Sequence, residues 1–170
     1  MTPYADPPYE AHTSCMALVR PPEVGAVGDV LVERAETLEA LKAAEAIAAE
    51  AFGMRADERR AVQAGIQTRL RLQQEGRPWV WQYLASIDGA PVGTARTRLL
   101  PAGSNLAGAG VLPSARGRGV YRALVAARWR EAVALGTPAL TVQAGAMSRP
   151  ILERLGFITV AEVTILCDRF

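Results

Sequence analysis

Between Trp79 and Ile87 apolar and polar residues alternate, so that Trp79, Trp81, Tyr83, Ala85 and Ile87 share one face of a predicted strand. Asp88-Gly89 follows, a strong signal for a two-residue hairpin turn. The partner strand runs from Pro91 to Leu100, and Pro101-Ala102-Gly103-Ser104 turns the chain into a third antiparallel strand, Asn105 to Leu112. Gly108 and Gly110 weaken that strand unless it bulges or something approaches its backbone closely. Helical spacing flanks this meander. Leu41, Ala44, Ile47, Ala48 and Ala51 form one apolar face over Leu38–Phe52, with Thr37 as N-cap and Gly53 as the stop. Asp57 caps a second helix that carries Val62, Ile66 and Leu70 and ends before Gly76. From Val120 to Leu135, residues Tyr121, Leu124, Val125, Ala132 and Leu135 recur at core spacing. Arg128 falls on the same stripe, so it needs an edge or a partner such as Glu131.

Shorter patterns complete the chain. Thr13–Arg20 reads as a short strand, Val30-Leu31-Val32 as the first strand of the domain proper, and Ala139–Gln143 as a short buried strand. Ser148 is a good N-cap for a helix ending at Leu155, and Ile158–Cys167 alternates as a last strand. The strand–helix–strand order around Val120–Leu135 implies a parallel or near-parallel pair. The fold class is therefore α/β (α+β): a mixed, largely antiparallel sheet of six to seven strands with helices on both faces. Residues 1–28, with Pro3, Pro7 and Pro8 and little that packs, read as an N-terminal arm with a short strand; residues 29–170 are the domain proper.

Composition narrows the class without choosing a function. The chain has 170 residues, half of them apolar and 21% charged, as in an ordinary globular domain. A formal net charge of +2 is too small to argue for nucleic acid, and Lys42 is the only lysine among 19 basic residues. Cys15 and Cys167 lack metal-ligand spacing and read as free thiols of a reducing cytoplasm. No apolar run is long enough to span a bilayer, and Met1–Glu10 does not resemble a signal peptide. The expectation is a soluble cytoplasmic protein, without nucleic-acid or membrane partners.

The candidate chemistry sits at Arg116-Gly117-Arg118-Gly119, between the strand ending at Leu112 and the helix starting at Val120. Glycines let backbone approach a ligand, unpaired amides in the first helical turn favour an anion, and two guanidinium groups add charge. This suits a phosphate or pyrophosphate. No Gly-Lys-Ser/Thr follows, so it is not a P-loop, and Tyr121-Arg122 breaks the dinucleotide pattern. The stretch Val111-x-Pro113-x-x-Arg116-Gly117-Arg118-Gly119-Val120 resembles the acyl-CoA motif of the GNAT family of N-acetyltransferases. Leu152-Glu153-Arg154-Leu155-Gly156-Phe157 resembles the helix and Gly-Phe junction that closes that family's domain. The resemblance covers roughly residues 30 to 165.

The resemblance implies a GNAT fold and acetyl-CoA as acyl donor, with an amine acceptor. The CoA pyrophosphate would lie on Arg116, Gly117, Arg118, Gly119, Val120 and Tyr121, with the Tyr121 ring turned inward because the family usually has Gly or Ala there. Val111 and Leu112 would hydrogen-bond the pantetheine arm, along a strand that splays from its neighbour. The family's usual tyrosine acid is replaced by Leu152, and the asparagine it often places after its fifth strand by Gly145. The catalytic group is thus unassigned, with Ser148 and Glu50 as candidates and Ser148 also explained as a cap. Glu45 is a further carboxylate on the first helix, and Trp81 and Tyr83 are candidates for the acceptor pocket or for core. His12, in the arm, is discounted as a base. The activity implied is N-acetyl transfer; the rival is an acyl-CoA-binding sensor that has lost catalysis. The fold's habit adds a homodimer through the end strands.

Overall fold

The hairpin expected at Asp88-Gly89 forms with φ of 51° and 75° at its two residues, the left-handed pair that a tight turn between twisted strands requires. It joins β3 (Val80–Ile87) to β4 (Ala90–Leu100), and a second tight turn leads into β5 (Gly103–Val111). In this computed structural model, which describes residues 9–76 and 79–167, the meander is the middle of a seven-stranded sheet. The others are β1 (Tyr9–Leu18), β2 (Val30–Arg34), β6 (Leu140–Ala144) and β7 (Ile158–Cys167), in the order β2-β3-β4-β5-β6-β1-β7. Every pairing is antiparallel except β5 with β6.

Helices cover both faces. α1 (Leu38–Ala51), α2 (Ala56–Ala64) and α3 (Ile66–Gln74) lie on one side. α4 (Val120–Ala134) and α5 (Arg149–Arg154) lie on the other, where Val125, Trp129 and Leu152 meet Leu106, Leu140 and Met16. Trp81, Tyr83, Ala85 and Ile87, the alternating face of β3, are buried on the α4 side with Val120 and Leu124. Each large side chain taken out of water there stabilises the fold by about 1.5–3 kcal/mol. Thr37 caps α1, its Oγ1 accepting from the Ala40 amide at 3.1 Å. No helix among the described residues is long and apolar enough to cross a membrane.

Several local expectations change. The arm is not loose from Tyr9 onward: β1 is ten residues long and hydrogen-bonds on both sides, to β6 and to β7. Residues 1–8 lie outside the described residues. The second helix is two helices broken at Gly65, and Arg55, not Asp57, stands at the first N-cap position, its amide donating to Glu58 at 2.7 Å. Trp79 precedes β3 and is 55% exposed, and Leu135, just past α4, is 47% exposed. β6 is half-buried rather than buried: Leu140 and Ala144 face the core while Thr141 and Gln143 are exposed. Cys15 is opposite Ala161, six residues along β7 from Cys167, or roughly 20 Å, far outside disulfide range.

The glycines of β5 have two separate reasons. Gly108, at φ 49°, sits in the bulge where the β4–β5 register shifts between Thr94 and Arg96. Gly110 admits a close neighbour, since a Cβ there would lie 2.9 Å from Ala51 Cβ at the end of α1.

Candidate functional site

β5 and β6 are paired only from Ser104–Leu140 to Leu106–Val142, so beyond the bulge the two strands part. Gly93 is opposite Val111, and the Leu112 amide donates to Val92 O at 2.9 Å. Ladder alternation then turns the Val111 N–H and C=O away from β4 and into the gap. The Leu112 amide, by contrast, is already committed to Val92, so of the two residues expected to bind pantetheine through backbone, Val111 keeps the free orientation. Arg116 Nε reaches Val111 O at 3.4 Å, which holds the arginine against the end of the strand.

After a short 3₁₀ turn (Pro113–Ala115), the chain reaches Gly119 at φ 84°, a left-handed N-cap from which α4 starts without any side-chain cap. A side chain at 119 would be strained there and would also meet Val27, whose Cα lies 3.3 Å from the Cβ position. The first α-helical bond of α4 runs from the Ala123 amide to Gly119 O. The amides of Val120, Tyr121 and Arg122 therefore open on the turn, with the positive end of the helix dipole behind them. Arg116, Gly117 and Arg118 are exposed around them, while Val120 is buried. Open first-turn amides with two exposed guanidinium groups at the rim are the chemistry that suits a phosphate or pyrophosphate.

Tyr121 turns inward and packs against the buried cluster that includes Met16, Val125 and Leu152. Burial pushes its phenol pKa up. Arg122, the next residue, donates to Val24 O at 2.9 Å and Ala26 O at 3.0 Å and pins residues 24–27 beside the turn. That anchoring was invisible in the sequence, because the partner carbonyls belong to a loop almost a hundred residues away. Arg128 does not pair with Glu131: it is 1% exposed and donates to Leu124 O at 2.9 Å and Arg96 O at 3.3 Å. Glu131 lies instead 3.7 Å from Arg34, whose guanidinium stacks 4.7 Å over the Trp81 ring.

The catalytic and acceptor candidates separate. A groove of about 640 Å³ between α1 and the α2–α3 pair has Lys42, Glu50, Met54, Arg59 and Gln63 on its walls, with Glu50 exposed. Glu45, one turn earlier, is 4% exposed and clamped by Arg69 at 2.6 Å and Arg96 at 2.8 Å. Its oxygens are occupied, which makes it a structural anion rather than a proton acceptor. Trp81 and Tyr83 are not on this groove. They face α4 across the sheet, where Tyr83 borders a smaller cavity of about 260 Å³ with Arg34 and Glu131. Ser148 occupies the N-cap position of α5 without capping it; its hydroxyl donates back to Gly145 O at 3.3 Å. Leu152 is wholly buried in the core. His12 lies in β1, its Nδ1 3.2 Å from Thr164 Oγ1. Among the described residues no three His, Cys, Asp or Glu side chains converge as a metal site.

Solved structures share this architecture. A conserved protein of unknown function from Staphylococcus epidermidis aligns over 92% of this chain with a TM-score of 0.71 and 13% identity. The chain spans only 60% of the length of that protein. A predicted acetyltransferase from Clostridium acetobutylicum, solved with acetyl-CoA, aligns over 77% of this chain and 91% of its own at TM-score 0.61 and 14% identity. The aminoglycoside acetyltransferase AAC(6')-Iy, in complex with the bisubstrate analogue CoA-S-monomethyl-acetylneamine, aligns over 83% of this chain and 99% of its own, at TM-score 0.66 and 21% identity. At these identities the likeness is one of fold. No curated protein sequence matches the chain. The sequence profile of the acetyltransferase (GNAT) family matches residues 39–157, a span that holds the meander, the Arg-Gly turn and the Gly-Phe junction, and the chain belongs to that family.

Proposed function

We propose that the chain transfers an acetyl group from acetyl-CoA to a primary amine of a small molecule or peptide, directly, within a ternary complex. The observation that carries this reading is the left-handed Gly119, which presents the first-turn amides of α4 beside the mouth of the β5–β6 gap. A pyrophosphate on those amides, with Arg116 and Arg118 at the rim, makes charge-assisted hydrogen bonds. The pantetheine arm then runs into the gap, where the Val111 N–H and C=O are turned to meet it. In the transfer, the amine nitrogen bonds to the acetyl carbon, the C–S bond breaks, and CoA leaves as a thiolate that takes up a proton. The proton lost by the amine goes to water or to Glu50, the carboxylate left exposed on the α1 groove. The solved neighbours with acetyl-CoA or a CoA conjugate support the donor.

A second reading, an acyl-CoA sensor without catalysis, is favoured by Leu152, because the helix position that would carry an acid is buried in the core. Calorimetric titration of acetyl-CoA followed by release of free CoA thiol with a panel of amines separates the two. The wild type is expected to bind and to turn over. Gly119→Trp, checked for folding by circular dichroism, is expected to lose binding, and Glu50→Gln to keep binding with kcat lowered about 100-fold. Binding without thiol release across the panel supports the sensor; no binding by the wild type overturns both readings.

A further inference from the structure

Beneath α4 lies a charge that no carboxylate among the described residues pairs. Arg128 is 1% exposed, and its Nε and Nη1 donate only to main-chain carbonyls, Leu124 O and Arg96 O. Among the described residues its Nη2 finds no hydrogen-bond partner, and neither do the Tyr83 hydroxyl and the Thr97 hydroxyl, on residues 2% and 1% exposed. The three orphans share one place. Thr97 is opposite Trp81 on the β-sheet face that looks at α4, and Arg96 O, which Arg128 holds, immediately precedes it. The Tyr83 and Thr97 hydroxyls are close neighbours without a hydrogen bond of good geometry between them, and Tyr83 also feels the charges of Glu131 and Arg128.

The groups that act on Arg128 are the phenols of Tyr121 and Tyr83, with no carboxylate among them. Burial lowers the pKa of Arg128 to about 10, which still leaves it cationic at neutral pH. An unpaired cation in the interior is costly, and so is each orphan hydroxyl or N–H. A water molecule would satisfy hydrogen bonds but leave the charge. A small monovalent anion satisfies both, because guanidinium, phenol and threonine can all donate toward one acceptor.

We infer that Arg128 Nη2, Tyr83 Oη and Thr97 Oγ1 form an internal site for a chloride-sized anion, locking α4 to β4 behind the Arg-Gly turn. The site is separate from the groove on the α1 face and from the amides of the turn.

The test compares thermal unfolding of the full chain, free of acyl-CoA, in sodium chloride and in sodium gluconate at equal ionic strength. A site that binds only in the folded state raises Tm with chloride, by about 5 °C once chloride is far above its dissociation constant. Bromide is expected to substitute, and crystals grown in bromide to show an anomalous peak between Arg128, Tyr83 and Thr97. Arg128→Met is expected to abolish the halide dependence. Should that variant fail to fold, Tyr83→Phe and Thr97→Val, which keep the charge and most of the volume, are each expected to weaken it. Equal Tm in chloride and gluconate, or a peak at the site without anomalous signal in bromide, overturns the proposal in favour of water.

Discussion

Two side chains show how neighbours decide what a residue can do. Glu45 and Glu50 both lie on α1, but Glu45 lies 2.6 Å from Arg69 and 2.8 Å from Arg96, while Glu50 faces solvent. Removing one partner of a buried ion pair leaves uncompensated charge and costs about 3–5 kcal/mol. Glu45→Ala is therefore expected to lower the unfolding free energy from urea denaturation by that amount, because two arginines lose their shared anion; an unchanged midpoint contradicts the clamp. Tyr83 provides a titration. Burial pushes its phenol from 10.0 up to about 12. Between those values the folded chain holds a proton that the unfolded chain has released, so this group's contribution to stability is complete below pH 10 and lost as pH climbs through 12. Arg128, lowered to about 10, acts in the opposite sense over the same range. The cleaner readout is phenolate absorbance after a rapid pH jump of the native protein: the latest ionisation is expected near pH 12 and absent in Tyr83→Phe. Neither environment was legible in the sequence, where Glu45 reads as one more helix carboxylate and Tyr83 as one more strand aromatic. Their partners come from other elements.

Elements were more legible than side-chain roles, because periodicity is local. The β3 alternation, the Asp88-Gly89 turn, the Thr37 cap and the start of α4 all follow from residues within a few positions of each other. Nothing near Gly65 marks a break as strongly as proline does, so the sequence suggests one helix; the structure ends α2 there and starts α3 anew. The glycines of β5 were legible as a question, bulge or close approach, and the structure answers with both. Gly110 allows the strongest test at this scale. A Cβ there would stand 2.9 Å from Ala51 and 3.5 Å from Phe52 Cε2, so Gly110→Val has to lever the end of α1 away from the sheet. Overpacking of this kind costs about 1–3 kcal/mol. Chemical denaturation measures that loss, and Gly110→Val together with Ala51→Gly is expected to recover part of it. Failure of the double variant to recover any stability removes close packing as the reason for the glycine.

The sheet order makes the two ends of the chain depend on each other. β7 reaches the rest of the sheet only through β1, which stands between it and β6, and β6 in turn touches β5 over three residue pairs. The short β5–β6 contact is what opens the gap at the candidate site, so the outer strands need another source of cohesion. They find it in the core under α4 and α5, where Met16 and Leu18 of β1 meet Leu140, Leu152, Leu155 and Phe157. The proline-rich start reads as a loose arm with a short strand; the register makes β1 the joint between the amino-terminal and carboxy-terminal parts of the fold. A chain lacking residues 1–18 loses the buried side chains of Ser14, Met16 and Leu18 and both ladders of β1. It also exposes the inner edge of β7, which invites aggregation. The expected result is loss of the cooperative thermal transition and of acetyl-CoA binding together, since β6 borders the gap. A truncated chain that still unfolds cooperatively near the wild-type Tm would mean that β6 and β7 hold their places without β1, and the arm would again be the better description.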